Sequence, residues 1–392
     1  MLPLEGITVV SLEQAVAAPF ATRQLADLGA RVIKIERPGT GDFARHYDNA
    51  VNGMSSYFTW LNRSKESVTL DLKRTESRHI LDLLLGQADV LAQNLAPGAV
   101  ERLGYGWGTL KDKYPRLIMA NISGYGPDGP YRDRKAYDML IQCETGLTSM
   151  TGTADAPSKV GISIADIAAG MYAYTGILTA LLTRARTGAG TRVDVSMLEA
   201  LGEWMSHPLY YSMFTKREPA RTGLSHATIY PYGPFSVAGN KQIFVAVQND
   251  REWENFCSIV LKMPFLANEV RFQSNAHRVK NRFELKEIIE AVFEQLSLEV
   301  VMERLEAANV ATAHMNSVLE FAEHPQLTAR NRWHSVESPV GPLPALCPPV
   351  QLEGMGVKMG SIPELGEHTL AILQQLGFAP DAVEELRVKG VI

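Results

Sequence analysis

The chain has 392 residues, 46% of them hydrophobic and 21% charged, with a formal net charge of −5 at pH 7. These values describe a globular protein with room for one large and one smaller domain, and they exclude disordered and fibrous classes. Its lysines and arginines are scattered rather than striped, which argues against a nucleic-acid partner. Cys143, Cys257 and Cys347 have neither disulfide-framework nor zinc-site spacing, and no histidine pair has helical metal-ligand spacing, so no metal is expected. The chain opens on a strand-like segment and no apolar run reaches the length of a membrane span. A cytoplasmic location without a membrane partner is therefore the expectation.

In chain order, Ile7–Leu12 reads as a strand, Phe20–Leu28 as a helix and Arg31–Glu36 as a second strand, forming a βαβ unit with a buried parallel pair. Ser67–Leu72, Val90–Gln93 and Leu117–Ile122 continue as strands, with helices over Glu76–Leu85, Val100–Leu103 and Trp107–Lys113. This alternation implies an α/β fold with a doubly wound, mostly parallel, Rossmann-like sheet. A long apolar helix follows over about Ile167–Arg184 and stops at Gly188 and Gly190. Arg192–Ser196 then returns as a strand, and a second apolar helix starts at Met197.

Composition shifts near Thr215–Pro219, so residues 1–215 are expected to form the large domain and 216–330 a small α+β domain. That small domain reads as strands at Ile229–Val237 and Gln242–Val247 with three amphipathic helices. Residues 331–392 return to complete the large domain, through an irregular, proline-rich segment at Pro339–Pro349 and two terminal helices.

The nucleotide-binding signatures are missing. Gly39-Thr40-Gly41 lacks a third glycine, and Pro127 and Pro130 make Gly124–Pro130 a turn rather than a helix start. There is no phosphate loop and no Gly-x-Ser-x-Gly elbow, so neither NAD nor ATP is expected as a cofactor. Cations instead gather near strand ends: Arg37 follows one strand, Arg63 and Lys65 precede another, Lys73 and Arg74 end that one, and Arg102 lies after Asn94–Gly98. In an open sheet, positions just past the carboxyl ends of strands converge on one crevice, which suits a ligand with several phosphates. Taken singly, each also reads as a solvated surface charge.

Asp166 is an acid at the mouth of the long apolar helix. Partly desolvated and faced by backbone N–H groups, such a carboxylate suits a nucleophile; Asp is equally a preferred helix cap, and the two roles are compatible. His226, flanked by small residues, is the one histidine set apart from the rest, either as a structural loop residue or as part of a site.

Several of these segments, in this order, resemble the class III CoA-transferases, the family of formyl-CoA transferase and carnitine CoA-transferase. They are Pro3–Ile7, Leu28–Pro38, Asn62–Lys65 with Leu70–Lys73, Gln93-Asn94 with Pro97-Gly98, Gly124–Pro130, Asp166 and Leu365–Thr369. The resemblance implies that Asp166 is a nucleophile and that an acyl-CoA donor and a carboxylic acid acceptor exchange coenzyme A through aspartyl anhydride and aspartyl-CoA thioester intermediates. It implies CoA-contacting positions at Val16, Arg37, Leu70, Lys73, Asn94, Arg102 and Tyr137, and an interlocked homodimer. Racemases of the family carry a histidine at the position of Tyr137, and tyrosine is a poor acid–base group near neutral pH. Gly223–Ala227 stands where formyl-CoA transferase has a glycine-rich loop over its aspartate.

Gly223–Phe235, with Met150–Gly152 and Ala165-Asp166, is most similar to the branch that moves CoA from succinyl-CoA to short dicarboxylic acids. Itaconate or a C4–C5 relative is the expected acceptor. Its second carboxylate calls for a cationic partner, with Arg45, Arg63 and His226 as candidates. The alternatives are a 2-methylacyl-CoA racemase and a non-catalytic CoA-binding protein.

Overall fold

The structure is a computed structural model and describes residues 2–392. Its chain divides into two compact units. The first comprises Met1–Thr145, Val160–Ser206 and Gln326–Ile392, and the second Gly146–Lys159 and His207–Pro325. Residues 146–159 and 207–215 thus belong to the second unit rather than to the large one. The composition shift near Thr215 marks the end of a helix, Ser206–Thr215, and not the crossing between units.

The first unit is built on a six-stranded sheet: β1 (Thr8–Leu12), β2 (Arg31–Glu36), β3 (Lys65–Thr69), β4 (Val90–Gln93), β5 (Ile118–Ser123) and β6 (Arg192–Ser196). The strand order is β3-β2-β1-β4-β5-β6 and every pairing is parallel. This is the doubly wound topology expected from the alternating pattern, and the chain reverses its winding between β1 and β4.

Successive residues on a strand face opposite sides, so each strand feeds two cores. Val10, Ile33, Leu91 and Met119 pack beneath the helices Thr75–Leu85 and Thr369–Gln375, with Ile80, Leu84 and Leu373. Val9, Val32, Val90 and Ile118 pack on the other face against α1 (Ala17–Asp27) and the helix Ile164–Thr187, through Leu25, Ala26, Ile177 and Ala180. Ile164–Thr187 is, by length and composition, apolar enough to cross a membrane, unlike the sequence expectation. Here its alanine-rich stripe (Ala165, Ala168, Ala169 and Ala173) is buried in the first unit.

The C-terminal return covers the edge of β3. Ser67 N–H donates to His368 Nδ1, the His368 N–H donates to the Ser67 carbonyl, and Thr69 N–H donates to Thr369 Oγ1. An exposed strand edge is thereby closed, which explains the Leu365–Thr369 motif in structural terms. The segment expected to be irregular contains β11 (Leu343–Leu346), paired antiparallel with β10 (Trp333–Val336). Pro344 is tolerated there because a two-stranded sheet consists only of edges.

The second unit is an antiparallel sheet of β7 (Tyr232–Val237), β8 (Lys241–Ala246) and β9 (Ala311–Ala313). It packs on helices Arg282–Phe293 and Leu298–Ala307 through Phe235, Ile243, Val245, Ile289, Phe293 and Val301.

Candidate active site

Five of the expected CoA contacts follow strand ends closely. Val16 lies after β1, Arg37 directly after β2, Leu70 and Lys73 after β3, and Asn94 directly after β4; Arg102 is further along the segment after β4. All six therefore lie in connections leaving the carboxyl edge of the sheet, on either side of the β1/β4 switch point where open sheets bind ligands. Arg37 and Lys73 are exposed, and among the described residues their cationic ends have no partner. Arg102 folds back over the Pro97–Gly98 turn and donates to the Pro97 carbonyl (3.3 Å). The side chains of Val16 and Leu70 are buried in the core at 3% and 2% exposure, so neither side chain is open to a ligand. The Asn94 amide bonds the protein through both of its ends: Oδ1 accepts from Gln14 N–H (2.9 Å) and Nδ2 donates to the Gln14 carbonyl (2.8 Å). Its contribution is to hold the turn before Val16.

Asp166 reaches the same edge by a different route. The helix Ile164–Thr187 is the crossover from β5 to β6, so it runs back against the strands and its first turn lies at their carboxyl ends. It starts three residues earlier than its apolar pattern suggested, which places Asp166 within the first turn rather than at the cap. The capping position is Ser163, whose side chain makes no capping bond; instead Asp138 Oδ1 accepts the Ala165 N–H at 2.8 Å. The capping role considered for Asp166 thus falls to a carboxylate from the helix Asp138–Glu144, oriented by Gln142 Nε2 (2.8 Å).

Asp166 is left half-buried, with no hydrogen bond or ion pair among the described residues. Burial first, and then the negative charge of Asp138, push its carboxyl from 3.8 up to about 7. The sequence suggested that backbone N–H groups would keep it ionised; the Ala165 N–H goes to Asp138 instead, and the Asp166 proton is held more tightly.

Gly170, one turn beyond Asp166, sets the distance to α1. A Cβ there would lie 2.7 Å from the Ala17 carbonyl oxygen and 3.0 Å from the Phe20 ring. Only glycine lets the two helices approach so closely. Tyr47 and Tyr137 also face this region. Burial raises the Tyr47 hydroxyl above its usual range, and the charges of Asp42 and Asp166 add to the effect. Tyr137 is 68% exposed at the start of the Asp138–Glu144 helix.

Both arginines expected to clamp a substrate carboxylate are committed elsewhere. Arg45 donates from Nε and Nη2 to the two oxygens of Glu36, at 2.8 Å each, and lies over the Phe58 ring. Arg63 forms a bidentate pair with Asp27 (2.8 and 2.8 Å), which Arg23 also contacts. Asp27 ends the 11-residue α1, so this pair lies roughly 16 Å along the helix from the end near Asp166. Each arginine neutralises a buried carboxylate that would otherwise be stranded.

In the second unit, His226 stacks on Tyr232, and its Nδ1 accepts from the N–H groups of Thr228 and Ile229 (3.2 and 3.1 Å). That pattern puts the ring proton on Nε2, a donor without a partner among the described residues.

Sequence reasoning missed the partners. Asp138 and Tyr47 carried no signal of their own, but Lys34 did. It sits inside Val32-Ile33-Lys34-Ile35, and a lysine flanked by buried positions requires acidic company. Lys34 is fully buried, 2.6 Å from Asp42 and 3.3 Å from Glu13. Lys65, also fully buried, is 2.7 Å from Glu13.

Comparison with known families matches residues 4–369 to CoA-transferase family III. The acetyl-CoA:oxalate CoA-transferase of Acetobacter aceti is 37% identical over 84% of this chain and 85% of its own length. The succinyl-CoA:glutarate CoA-transferase of Mus musculus is 32% identical over 100% of this chain and 91% of its own length. Among solved structures, a CAIB/BAIF family protein from Brucella suis superposes with a TM-score of 0.84 at 32% identity, covering 96% of this chain and 99% of that one. The chain belongs to CoA-transferase family III, and a CoA thioester is its co-substrate.

Proposed function

We propose that the protein moves coenzyme A from succinyl-CoA to a short dicarboxylic acid, itaconate or a C4–C5 relative, with Asp166 as the nucleophile. The carboxylate attacks the thioester carbonyl of the donor, forming a mixed anhydride and releasing CoA thiolate. The thiolate then attacks the aspartyl carbonyl, breaking the anhydride C–O bond, so that the donor acid leaves and an aspartyl-CoA thioester remains. The acceptor carboxylate runs the two steps in reverse and regenerates Asp166. Each step exchanges one activated acyl group for another.

One observation carries the reading: Asp166 is a half-buried carboxylate with no bonded partner among the described residues, at the carboxyl edge of the sheet where the cationic Arg37 and Lys73 are also found. Desolvation makes a carboxylate a better nucleophile, and a carboxyl near 7 is substantially ionised at neutral pH. A dicarboxylate acceptor is supported by relatives named for glutarate and oxalate. With Arg45 and Arg63 paired elsewhere in the protein, His226 is the sequence candidate that keeps a donor, Nε2–H, without a partner among the described residues, and the active form is a homodimer.

Incubation with succinyl-CoA followed by hydroxylamine or borohydride should modify Asp166 in a peptide map, and Asp166→Ala should lose both the modification and CoA exchange. Activity retained in Asp166→Ala sinks the assignment. A panel of labelled carboxylic acids with succinyl-CoA identifies the acceptor, and light scattering tests the dimer.

A further inference from the structure

Below the candidate site lies a buried charge cluster that the proposed chemistry does not use. Asp42 is fully buried and divides its two oxygens between two tasks. Oδ2 accepts from Lys34 Nζ at 2.6 Å. Oδ1 accepts from two backbone groups, Ala15 N–H and Ala44 N–H, at 2.9 Å each. The first of these belongs to the connection after β1 and the second to the short helical turn Phe43–His46 after β2. One side chain thus ties together two loops of the carboxyl edge.

The β1 loop needs such a tie. Ala15 has φ of +61°, in the left-handed region that residues with a Cβ disfavour. Strained conformations of this kind persist only where the surroundings over-determine them, and they gather at functional sites. Here the surroundings are specific. Asn94 holds Gln14 on both its N–H and its carbonyl, Gln14 Oε1 accepts from Phe43 N–H (3.1 Å), and Asp42 holds Ala15. The kink delivers the chain to Val16 and the start of α1, whose Ala17 carbonyl meets Gly170 one turn beyond Asp166. The Phe43–His46 turn delivers Tyr47, which senses the charges of both Asp42 and Asp166.

We propose that Asp42 is a positioning residue for the Asp166 site: paired with buried Lys34, it holds the Ala15 kink and the Tyr47 turn against the first turn of the Asp166 helix. The inference rests on the reading of Asp166 as the reacting carboxylate. Lys34 and the Glu13–Lys65 pair back the arrangement, since Lys65 Nζ donates to Glu13 and to the Pro19 carbonyl in α1 (3.0 Å). Asp42 and Glu13 carry two negative charges against two positive ones on Lys34 and Lys65. Such a set keeps its geometry only while complete, because each charge removed strands another in a dry interior.

Asp42→Asn is the discriminating change. The amide is isosteric, but it cannot serve both sides: whichever way it turns, its NH2 faces a donor, either Lys34 Nζ or the Ala15 and Ala44 N–H groups. The expected result is a fall in kcat of at least tenfold, with the Michaelis constant for the CoA ester changed less than threefold. Lys73 lies on the connection after β3, and the Arg37 side chain, although it shares the connection after β2 with Asp42, takes no part in the hydrogen bonds of Asp42. Adding Ala15→Gly should restore at least threefold of the lost kcat, because glycine adopts the left-handed kink without being pinned. A merely structural role for Asp42 would lower the melting temperature without this split or this rescue.

Unchanged kcat in a folded Asp42→Asn overturns the proposal, as does a loss that falls equally on CoA affinity and is not restored by Ala15→Gly. If Asp42→Asn does not fold, Asp42→Ser replaces it, keeping a capping oxygen for Ala44 N–H while giving up Ala15; the same two criteria then decide. The Asp166→Ala variant, assayed alongside, tests the underlying reading separately. Activity there refutes the role of Asp166, whereas a dead Asp166→Ala with a fully active Asp42→Asn refutes only the role of Asp42.

Discussion

Replacing Asp166 by asparagine should make the protein more stable while removing its activity, and the gain should depend on pH. The carboxyl is raised from 3.8 to about 7 by burial and by Asp138, so the folded state holds a proton that the unfolded chain releases above about pH 4. Below pH 4 the group is protonated in both states and contributes nothing. Between 4 and 7 the unfolded chain ionises first, and stability falls steadily as pH rises. Above about 7 the full cost is present.

At about 1.4 kcal/mol for each pH unit, the upper limit is about 4 kcal/mol. Asp166 is only half-buried, so screening by water reduces this to about 1–3 kcal/mol. For a unit of this size that corresponds to a rise in melting temperature of about 2–6 °C. Asparagine keeps the shape and removes the charge, so the comparison isolates ionisation. Thermal melts of both proteins at pH 4, 6 and 8 should show curves that coincide at the lowest pH and separate progressively above it. An Asp166→Asn protein that is no more stable than the wild type at pH 8, or equally more stable at every pH, refutes the argument from burial and Asp138.

The same carboxyl should govern rate: kcat/KM for CoA exchange is expected to rise with pH through about 7, and Asp138→Asn, by removing the neighbouring charge, should move that limb to lower pH in a pH–rate profile. Gly170→Val should disrupt the unit, since its Cβ would meet the Ala17 carbonyl at 2.7 Å; overpacking of this kind costs about 1–3 kcal/mol or more, read as a lowered melting temperature or lost soluble yield. Arg37→Ala and Lys73→Ala should raise the Michaelis constants for CoA esters about threefold to tenfold with kcat nearly unchanged, an effect that fades in high salt because both groups are exposed. Arg63→Met should destabilise the protein by up to about 3–5 kcal/mol, with Arg23 offsetting part of it, yet leave the ratio of efficiencies for dicarboxylates and monocarboxylates unchanged.

Much of the frame was legible in the chain itself. Arg31–Glu36, Val90–Gln93 and Arg192–Ser196 were recognisable as strands with their observed ends, because strand and helix periodicity are local properties that tertiary contacts here reinforce. The alternation of elements was enough for the parallel sheet, and the sheet in turn places Arg37 and Asn94 at strand ends without further information, whereas Leu70 fell inside an expected strand that in the structure ends at Thr69. An acid opening an alanine-rich helix was likewise visible in sequence, as was its suitability as a nucleophile.

What the sequence left open is which charge meets which. Arg45 and Arg63 looked free because Glu36 and Asp27 lie 9 and 36 residues away, on other elements. Asp166 was expected to be held ionised by its helix, but Asp138 arrives from a separate helix, takes the Ala165 N–H and pushes the proton onto Asp166 instead. Lys34 was read simply as part of a strand until the fold enclosed it between Asp42 and Glu13. Secondary structure follows from neighbours along the chain, whereas ionisation and pairing follow from distances and desolvation between segments that only the folded sheet and its crossovers bring together.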